Sequence, residues 1–305
     1  MTDLAIFYEH PAWFEPLFAA LDRRGIDYSR IHAGDHVFDA GPGVPPAPLI
    51  FNRIGMSAFL RETEHPIFYA RTLFEHWEGQ GAHVVNGAAL EVDTSKGRQI
   101  SLIRRLGYGA PETRVVHRAA DLPKAAEGMR FPVLVKPDIG GSGAGIQRFD
   151  TAEELADAVA AGSVSMGINS CALVQEHAPP RDGRIVRVET LNGRFLYACS
   201  VETGGFDLCL ADVCMIAPGK ASLQIEAITP PAEVIAAAEH IARASRIDVG
   251  GVEYLVDDRD GSVKFYDINA LSNFVADPVT VLGFDPHDTL IDYLVDRITA
   301  GKAAA

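Results

Sequence analysis

Short apolar runs bounded by turn residues alternate with stretches of helical periodicity along most of the chain. Residues 4–9 (LAIFYE) form a strand-length apolar run, residues 12–24 (AWFEPLFAALDRR) a helical pattern closed by Gly25, and residues 48–53 (PLIFNR) a second strand-length run. This order predicts a β-α-β opening and a parallel sheet, whose ligands gather at the carboxyl ends of the strands. Asn52 and Arg53 end the second run and become a candidate ligand-facing pair, with a plain surface loop as the alternative. A helix over about 65–79 and a short strand at His83–Asn86 carry this first unit to residue 92.

The pattern then changes. A helix over about 95–106, ended by Gly107, precedes strands near 114–116, at 131–136 and at 145–149, and a helix opened by the capping-box pattern Thr151-x-x-Glu154. Neighbouring strands without an intervening crossover make this section, residues 93–178, α+β. The last unit, 179–305, follows a strand at 172–176. Its strands at 185–191 and 194–201 are joined by Asn192-Gly193, a strong hairpin signal. A helix at about 232–245, strands at 250–256 and 262–269, and a helix over about 286–299 complete it, with a frayed tail over 301–305. No internal repeat interrupts this order.

Composition narrows the function. The 305 residues carry 27 Lys and Arg against 41 Asp and Glu, a net charge of −14, with no basic block. That balance predicts no nucleic-acid or anionic-lipid partner, because both reward basic surfaces. A hydrophobic share of 48% excludes general disorder. Met1–Glu9 lacks the basic start and apolar core of a signal peptide, and no run is long enough to span a membrane. Cys171, Cys199, Cys209 and Cys214 form no C-x-x-C pair, so a cytoplasmic protein is expected. The ten His show no metal spacing, and the aromatics of Phe7–Phe14 read as first-unit core or rim.

Two constellations carry chemistry. Gly140, Gly141, Ser142, Gly143, Ala144 and Gly145 follow directly on a strand bearing Lys136. Such a loop lets backbone N–H groups surround phosphate oxygens beside an ammonium. A strand pattern follows it instead of a helix, so it is a hairpin-type phosphate loop and fits neither the P-loop nor the dinucleotide fingerprint. Glu253 on one strand faces a second strand carrying Asp267 and Asn269, which share a face at i and i+2. Three hard oxygen donors suit Mg²⁺ shared with substrate phosphates.

In their order these motifs resemble the ATP-grasp superfamily. Ser95-Lys96-Gly97-Arg98-Gln99, Leu102, Gly107, Pro111 and Thr113 are similar to its opening helix and "G…P.T" stretch. Phe131–Pro137 with Gly140–Gly145 resembles the second lysine and phosphate loop, Val174-Gln175-Glu176-His177 the adenine linker, and Arg187-Val188 the arginine strand. Gly251-Val252-Glu253 with Asp267-Ile268-Asn269 resembles the metal strands, and Asn52-Arg53-Ile54-Gly55 the "R-I-G" segment of the ribosomal-protein glutamate ligases and glutathione synthetases.

The resemblance implies a three-part fold and a carboxylate–amine or carboxylate–thiol ligase. ATP phosphorylates a carboxylate to an acyl phosphate, which the amine then attacks, releasing ADP and phosphate. It implies Lys96 and Lys136 on the ATP phosphates, Ser142 and the glycines over the γ-phosphate, and Gln175, Glu176 and His177 around adenine. Arg187 would stand on the transferring phosphoryl group, with Glu253, Asp267 and Asn269 on Mg²⁺ or Mn²⁺. Asn52, Arg53 and Asn273 are the substrate-side candidates. Asp267 stands where the family usually has Glu, which leaves the metal count open between one and two. The small-molecule acid and amine are not specified, a homo-oligomer is compatible, and a non-catalytic ATP-binding regulatory or scaffold protein is the alternative.

Overall fold

Four parallel strands build the first sheet, in the order β2-β1-β3-β4: β1 (Leu4–Tyr8), β2 (Tyr28–His32), β3 (Leu49–Arg53) and β4 (His83–Val85). The computed structural model to which they belong describes residues 2–61, 66–141, 143–202 and 225–304. Between β1 and β2 the helix Pro11–Arg23 buries Phe14, Leu17, Phe18 and Leu21, one stripe at helical spacing. Its first turn is closed by His10, whose Nδ1 accepts from the Trp13 N–H at 3.2 Å. The return strand of the opening β-α-β unit is therefore β2, not the run at 48–53, which instead pairs with the other edge of β1. Tyr-Ser-Arg-Ile-His escapes an apolar reading because β2 is an edge strand and only half-buried.

The second sheet, β5 (Thr113–Val116), β6 (Val133–Pro137), β7 (Gln147–Phe149) and β8 (Ala172–Glu176), is antiparallel in the order β5-β8-β6-β7. The third is also antiparallel, in the order β11-β10-β9-β12-β13: β9 (Arg184–Leu191), β10 (Arg194–Glu202), β11 (Ile225–Ile228), β12 (Val249–Val256) and β13 (Val263–Asn269). Asn192 and Gly193 both take positive φ, 51° and 67°, and turn β9 into β10 as the Asn-Gly signal predicts. The mixed α/β and α+β class expected from sequence is the class observed.

Helices cover one face of the third sheet, while on the other Leu191, Tyr197, Cys199 and Val249 join the core under the first and last helices and the stretch around Glu253 faces the cleft. Lys96–Arg105 and Ala232–Ala244 pack Ile100, Ile103, Ala238 and Ile241 against Val188, Val252 and Ile268. The last helix, Pro286–Ala304, packs Leu290, Ile291 and Leu294 with Phe14 and Phe18 of the first helix. It continues through Gly301 to Ala304, where fraying was expected, with the Lys302 ammonium 2.6 Å from Asp3.

One fully buried residue joins the first and third sheets. Asn86, just past β4, donates to the carbonyls of Val249 (2.7 Å) and Ala270 (2.6 Å) and accepts from the N–H groups of Asp248 (2.8 Å) and Val249 (3.2 Å). Its amide is fully satisfied, and its φ of 57° is tolerated better by Asn than by most residues. Asn52 secures it in turn, donating to the Asn86 carbonyl at 3.1 Å.

Candidate active site

The row of charges at the heart of the molecule follows from strand register. Arg187 on β9 lies across from Glu253 on β12, and Glu253 lies across from Asp267 on β13. The three side chains meet on the face of the sheet opposite the helices Lys96–Arg105 and Ala232–Ala244, where it lines the cleft. Arg187 donates to Glu253 Oε1 at 3.2 Å and to Glu189, two residues along its own strand, at 2.5 Å. Its guanidinium lies over Gly251: a Cβ there would stand 2.5 Å from Arg187 Nε, so any side chain at 251 would displace the guanidinium from this position. A β-bulge opposite Glu253 and Tyr254 makes Tyr266 the extra residue of β13. The neighbours Tyr266 and Asp267 consequently both reach the cleft.

Two lysines complete the cation set. Ser95 caps the helix that begins at Lys96, its hydroxyl accepting from the Arg98 N–H at 3.1 Å and donating to Asp138 at 2.9 Å. Asp138 follows β6, which carries Lys136, and also accepts from the Gly97 N–H at 2.9 Å. Lys96 reaches Asp267 at 2.5 Å, and Lys136 donates to Gln175 Oε1 at 2.7 Å. Burial and the neighbouring Lys96 push Lys136 down to about 8. For Lys96 burial acts the same way, but the charge and hydrogen bond of Asp267 outweigh it and raise the ammonium overall. Burial, then Asp267, lift the Glu253 carboxyl to about 7, and the same two causes lift buried Asp93 to about 7.

These groups line a cleft of about 1040 Å³: Lys96, Lys136, Arg187, Glu253, Asp267, Asn269 and Asn273, with Gly140, Gly141 and Gly143 beside them. Gly141 presses against the first unit, where a Cβ would meet the Ser57 Cβ at 3.0 Å. Gly145 sits behind the loop at φ 73° against Pro137. Ser142 lies outside the described residues. Next to the cleft, sharing Lys136 and Tyr266 with it, is a slot of about 470 Å³ walled by Leu134, Leu255, Gln175, Glu176, His177 and Ala178. The N–H groups of Glu176 and His177 are bonded to the carbonyls of Glu112 (2.9 Å) and Pro132 (3.0 Å), whereas the Ala178 N–H has no protein acceptor among the described residues.

The acidic pair fits a hard divalent cation. Asn269 Nδ2 stands 3.2 Å from Glu253 Oε1 and 3.4 Å from Asp267 Oδ2, so rotating that amide by half a turn would present a third oxygen to the same point. Among the described residues no three His, Cys, Asp or Glu side chains form a metal cluster; the donor set here is two carboxylates and an amide.

Asn52 and Arg53 are not in the cleft wall. Arg53 is buried beneath it, stacked on Phe14 and Phe51 at 5.0 and 4.8 Å, and its guanidinium bonds to the Ser272 carbonyl and, at 3.4 Å, to Asn273 Oδ1. It therefore reaches the cleft through the 272–273 turn. Several lining or supporting residues escape a sequence reading. Trp13 carries no signal beyond its aromatic cluster, and Asp93 and Asp138 none at all. Glu189 was missed as well, although i and i+2 on the expected strand carry the signal that would have placed it beside Arg187.

Residues 101–282 match the family model described as the carbamoyl-phosphate synthase L chain, ATP binding domain. Together with this fold and cleft, the match makes the chain a member of the ATP-grasp superfamily. No sequence among curated proteins matches it. Among solved structures it is similar to the ATP-grasp ligase PsnB complexed with minimal precursor, at 17% identity over 97% of this chain and 99% of that one, with a TM-score of 0.69. D-alanine–D-alanine ligase from Bacillus anthracis complexed with ATP matches at 16% identity over 99% and 98%, TM-score 0.68. An ATP-grasp RimK domain protein from Sphaerobacter thermophilus matches at 17% identity over 89% and 92%, TM-score 0.65.

Proposed function

We propose that the protein is an ATP- and Mg²⁺-dependent ligase that joins a carboxylate to an amine through an acyl phosphate, releasing ADP and phosphate. The observation that carries this reading is the convergence of Lys96, Lys136 and Arg187 with Glu253, Asp267 and Asn269 in one glycine-roofed cleft beside an apolar slot. The slot takes the adenine between Leu134 and Leu255, with the Ala178 N–H as a donor to the ring. Lys96, Lys136 and the N–H groups of the glycine loop hold the phosphates. Glu253, Asp267 and Asn269 would hold Mg²⁺, which supplies charge neutralisation at the transferring phosphoryl group. Arg187, fixed by Glu189 and Glu253, places a rigid cation where negative charge develops. Phosphoryl transfer is served by positioning and electrostatics, so no nucleophilic side chain is needed.

Among the described residues no helix is long and apolar enough to cross a membrane, and Cys171 and Cys199 are free thiols. A cytoplasmic setting, which supplies ATP, fits both. The test is product analysis with candidate acids and amines: ADP and orthophosphate should appear only when both are present. Obligatory release of AMP and pyrophosphate overturns the reading, and ATP binding without acid-dependent turnover returns the protein to the regulatory class.

A further inference from the structure

A second cavity, of about 520 Å³, adjoins the cleft, and Trp13 and Asn273 belong to the walls of both. Charge on its lining has one sign: Asp277 and Asp285 contribute carboxylates, and no Lys or Arg is among the lining residues. The cleft shows three cations to anionic phosphates, whereas here Asp285 is paired with Arg23 at 3.5 Å and Asp277 adds a carboxylate with no ion pair among the described residues, which favours a cation at the rim.

His287 is an independent mark on the same wall. It is only 7% exposed, and its ring packs edge-on against Phe274 at 5.1 Å. Nδ1 lies 2.9 Å from Asp285 Oδ1, which also accepts from the His287 backbone N–H at 3.0 Å. Asp285 accepts only, so the hydrogen-bond network assigns the proton to Nδ1 and leaves a lone pair on Nε2. Nε2 has no protein partner among the described residues, although the side chain is more than nine-tenths buried. Burial lowers the pKa of the ring. Asp285 opposes that shift, Arg53 and Arg23 reinforce it, and the net effect is downward, so the imidazole is neutral at pH 7.

We infer that this cavity is the amine subsite of the ligase, and that His287 Nε2 is the base that receives a proton from a primary ammonium as its nitrogen attacks the acyl phosphate. The inference rests on the ligase reading above. In the step, the ammonium gives one proton to Nε2 and the freed lone pair forms the C–N bond. The C–O bond to phosphate breaks with its electron pair leaving on phosphate, and a second N–H proton goes to that phosphate. The products are an amide, hydrogen phosphate and an imidazolium held by Asp285. Asp277 at the rim steers the cation inward.

The experiment compares wild type, His287→Asn and Asp277→Asn with ATP, Mg²⁺ and a panel of amino acids and short peptides, each able to serve as acid or amine. A parallel set contains hydroxylamine, a neutral nucleophile near pH 7 that captures an acyl phosphate as hydroxamate without needing a base. His287→Asn keeps an amide at the place of Nδ1, so the bond to Asp285 can survive. It should form hydroxamate within twofold of wild type, lose amide formation at least 100-fold, and lose the rise of amide rate with pH below 6.5. Asp277→Asn should raise KM for the amine several-fold at unchanged kcat, and keeps the test open if His287→Asn does not fold. Hydroxamate from wild type with unaltered amide kinetics in both variants overturns the subsite alone. No hydroxamate and no acid-dependent ADP from wild type overturns the ligase reading and the subsite with it.

Discussion

Lys136 bears a charge in a nearly dry place, and that has two measurable consequences. Its folded pKa of about 8 lies below the ordinary lysine value of 10.5. Between those values the unfolded chain holds a proton that the folded protein has released, so stability rises with pH across this window, and the cost is fully present below pH 8. The full shift corresponds to about 3 kcal/mol. Lys136→Met should flatten this slope in urea melts of the nucleotide-free protein. It also leaves Gln175 Oε1 without its donor, so the slope and not the absolute stability is the readout. ATP phosphates restore the ammonium, so wild type should take up most of a proton on binding ATP at pH 8.5, visible as buffer-dependent binding enthalpy. A steric prediction belongs to the same scale: Gly251→Ala displaces the Arg187 guanidinium, a shift at the end of a flexible side chain that should cost little in unfolding but at least tenfold in ADP formation. At this scale sequence legibility was uneven. Glu253 and Asp267 stand out because carboxylates inside apolar runs need a partner. Asp93 and Asp138 sit in ordinary polar surroundings in the chain and acquire their roles only when distant strands meet.

At the scale of elements, the two lysines are aligned by Asp138, which ties the start of one helix to the end of β6. Ser95→Ala removes both the cap and one bond to Asp138, so it should lower stability by about 1 kcal/mol and weaken ATP binding more than its distance from the phosphates suggests. Isothermal titration beside thermal melts separates the two effects. Gly141→Val tests the glycine loop where it presses on Ser57: the added bulk should raise KM for ATP about tenfold with an unchanged melting temperature. Most elements could be read from periodicity, and the Asn192-Gly193 turn from chemistry alone. The strands β2 and β11 and the short helix Pro278–Leu282 were not, because edge strands and single turns need little apolar surface of their own.

In the whole molecule, Asn86 and Arg53 fasten the first unit to the site without touching the cleft. Asn86→Ala would strand two carbonyls and two N–H groups in a dry joint and lose the residue suited to positive φ. A loss of about 3–5 kcal/mol in unfolding is expected. Arg53→Ala should spare nucleotide affinity but slow ligation, since the guanidinium holds the 272–273 turn that walls both cavities; ATP titration against turnover separates these. No periodicity revealed either role, for both depend on which sheets come together.

The extra residue in β13 has a consequence for comparing chains. Val263 and Phe265 face the helix-covered core, as does Ile268, whereas Asp267 and Asn269 face the cleft. Core positions are thus odd-numbered before Tyr266 and even-numbered after it, while the partner strand keeps Val252, Tyr254 and Val256 on one parity throughout. Deleting Tyr266 would restore a uniform count: Phe265 and Asp267 become neighbours on opposite faces, so Phe265 stays in the core, Asp267 and Asn269 stay in the cleft, and what is lost is the Tyr266 side chain from the cleft wall. The segment should therefore tolerate loss of this one residue better than a single deletion inside the partner strand, which would break the parity shared by Val252, Tyr254 and Val256 and turn part of that strand to the wrong face. In an alignment of working relatives, a gap of one residue between the core aromatic and the first acid should mark chains that lack the bulge while keeping both faces of the strand.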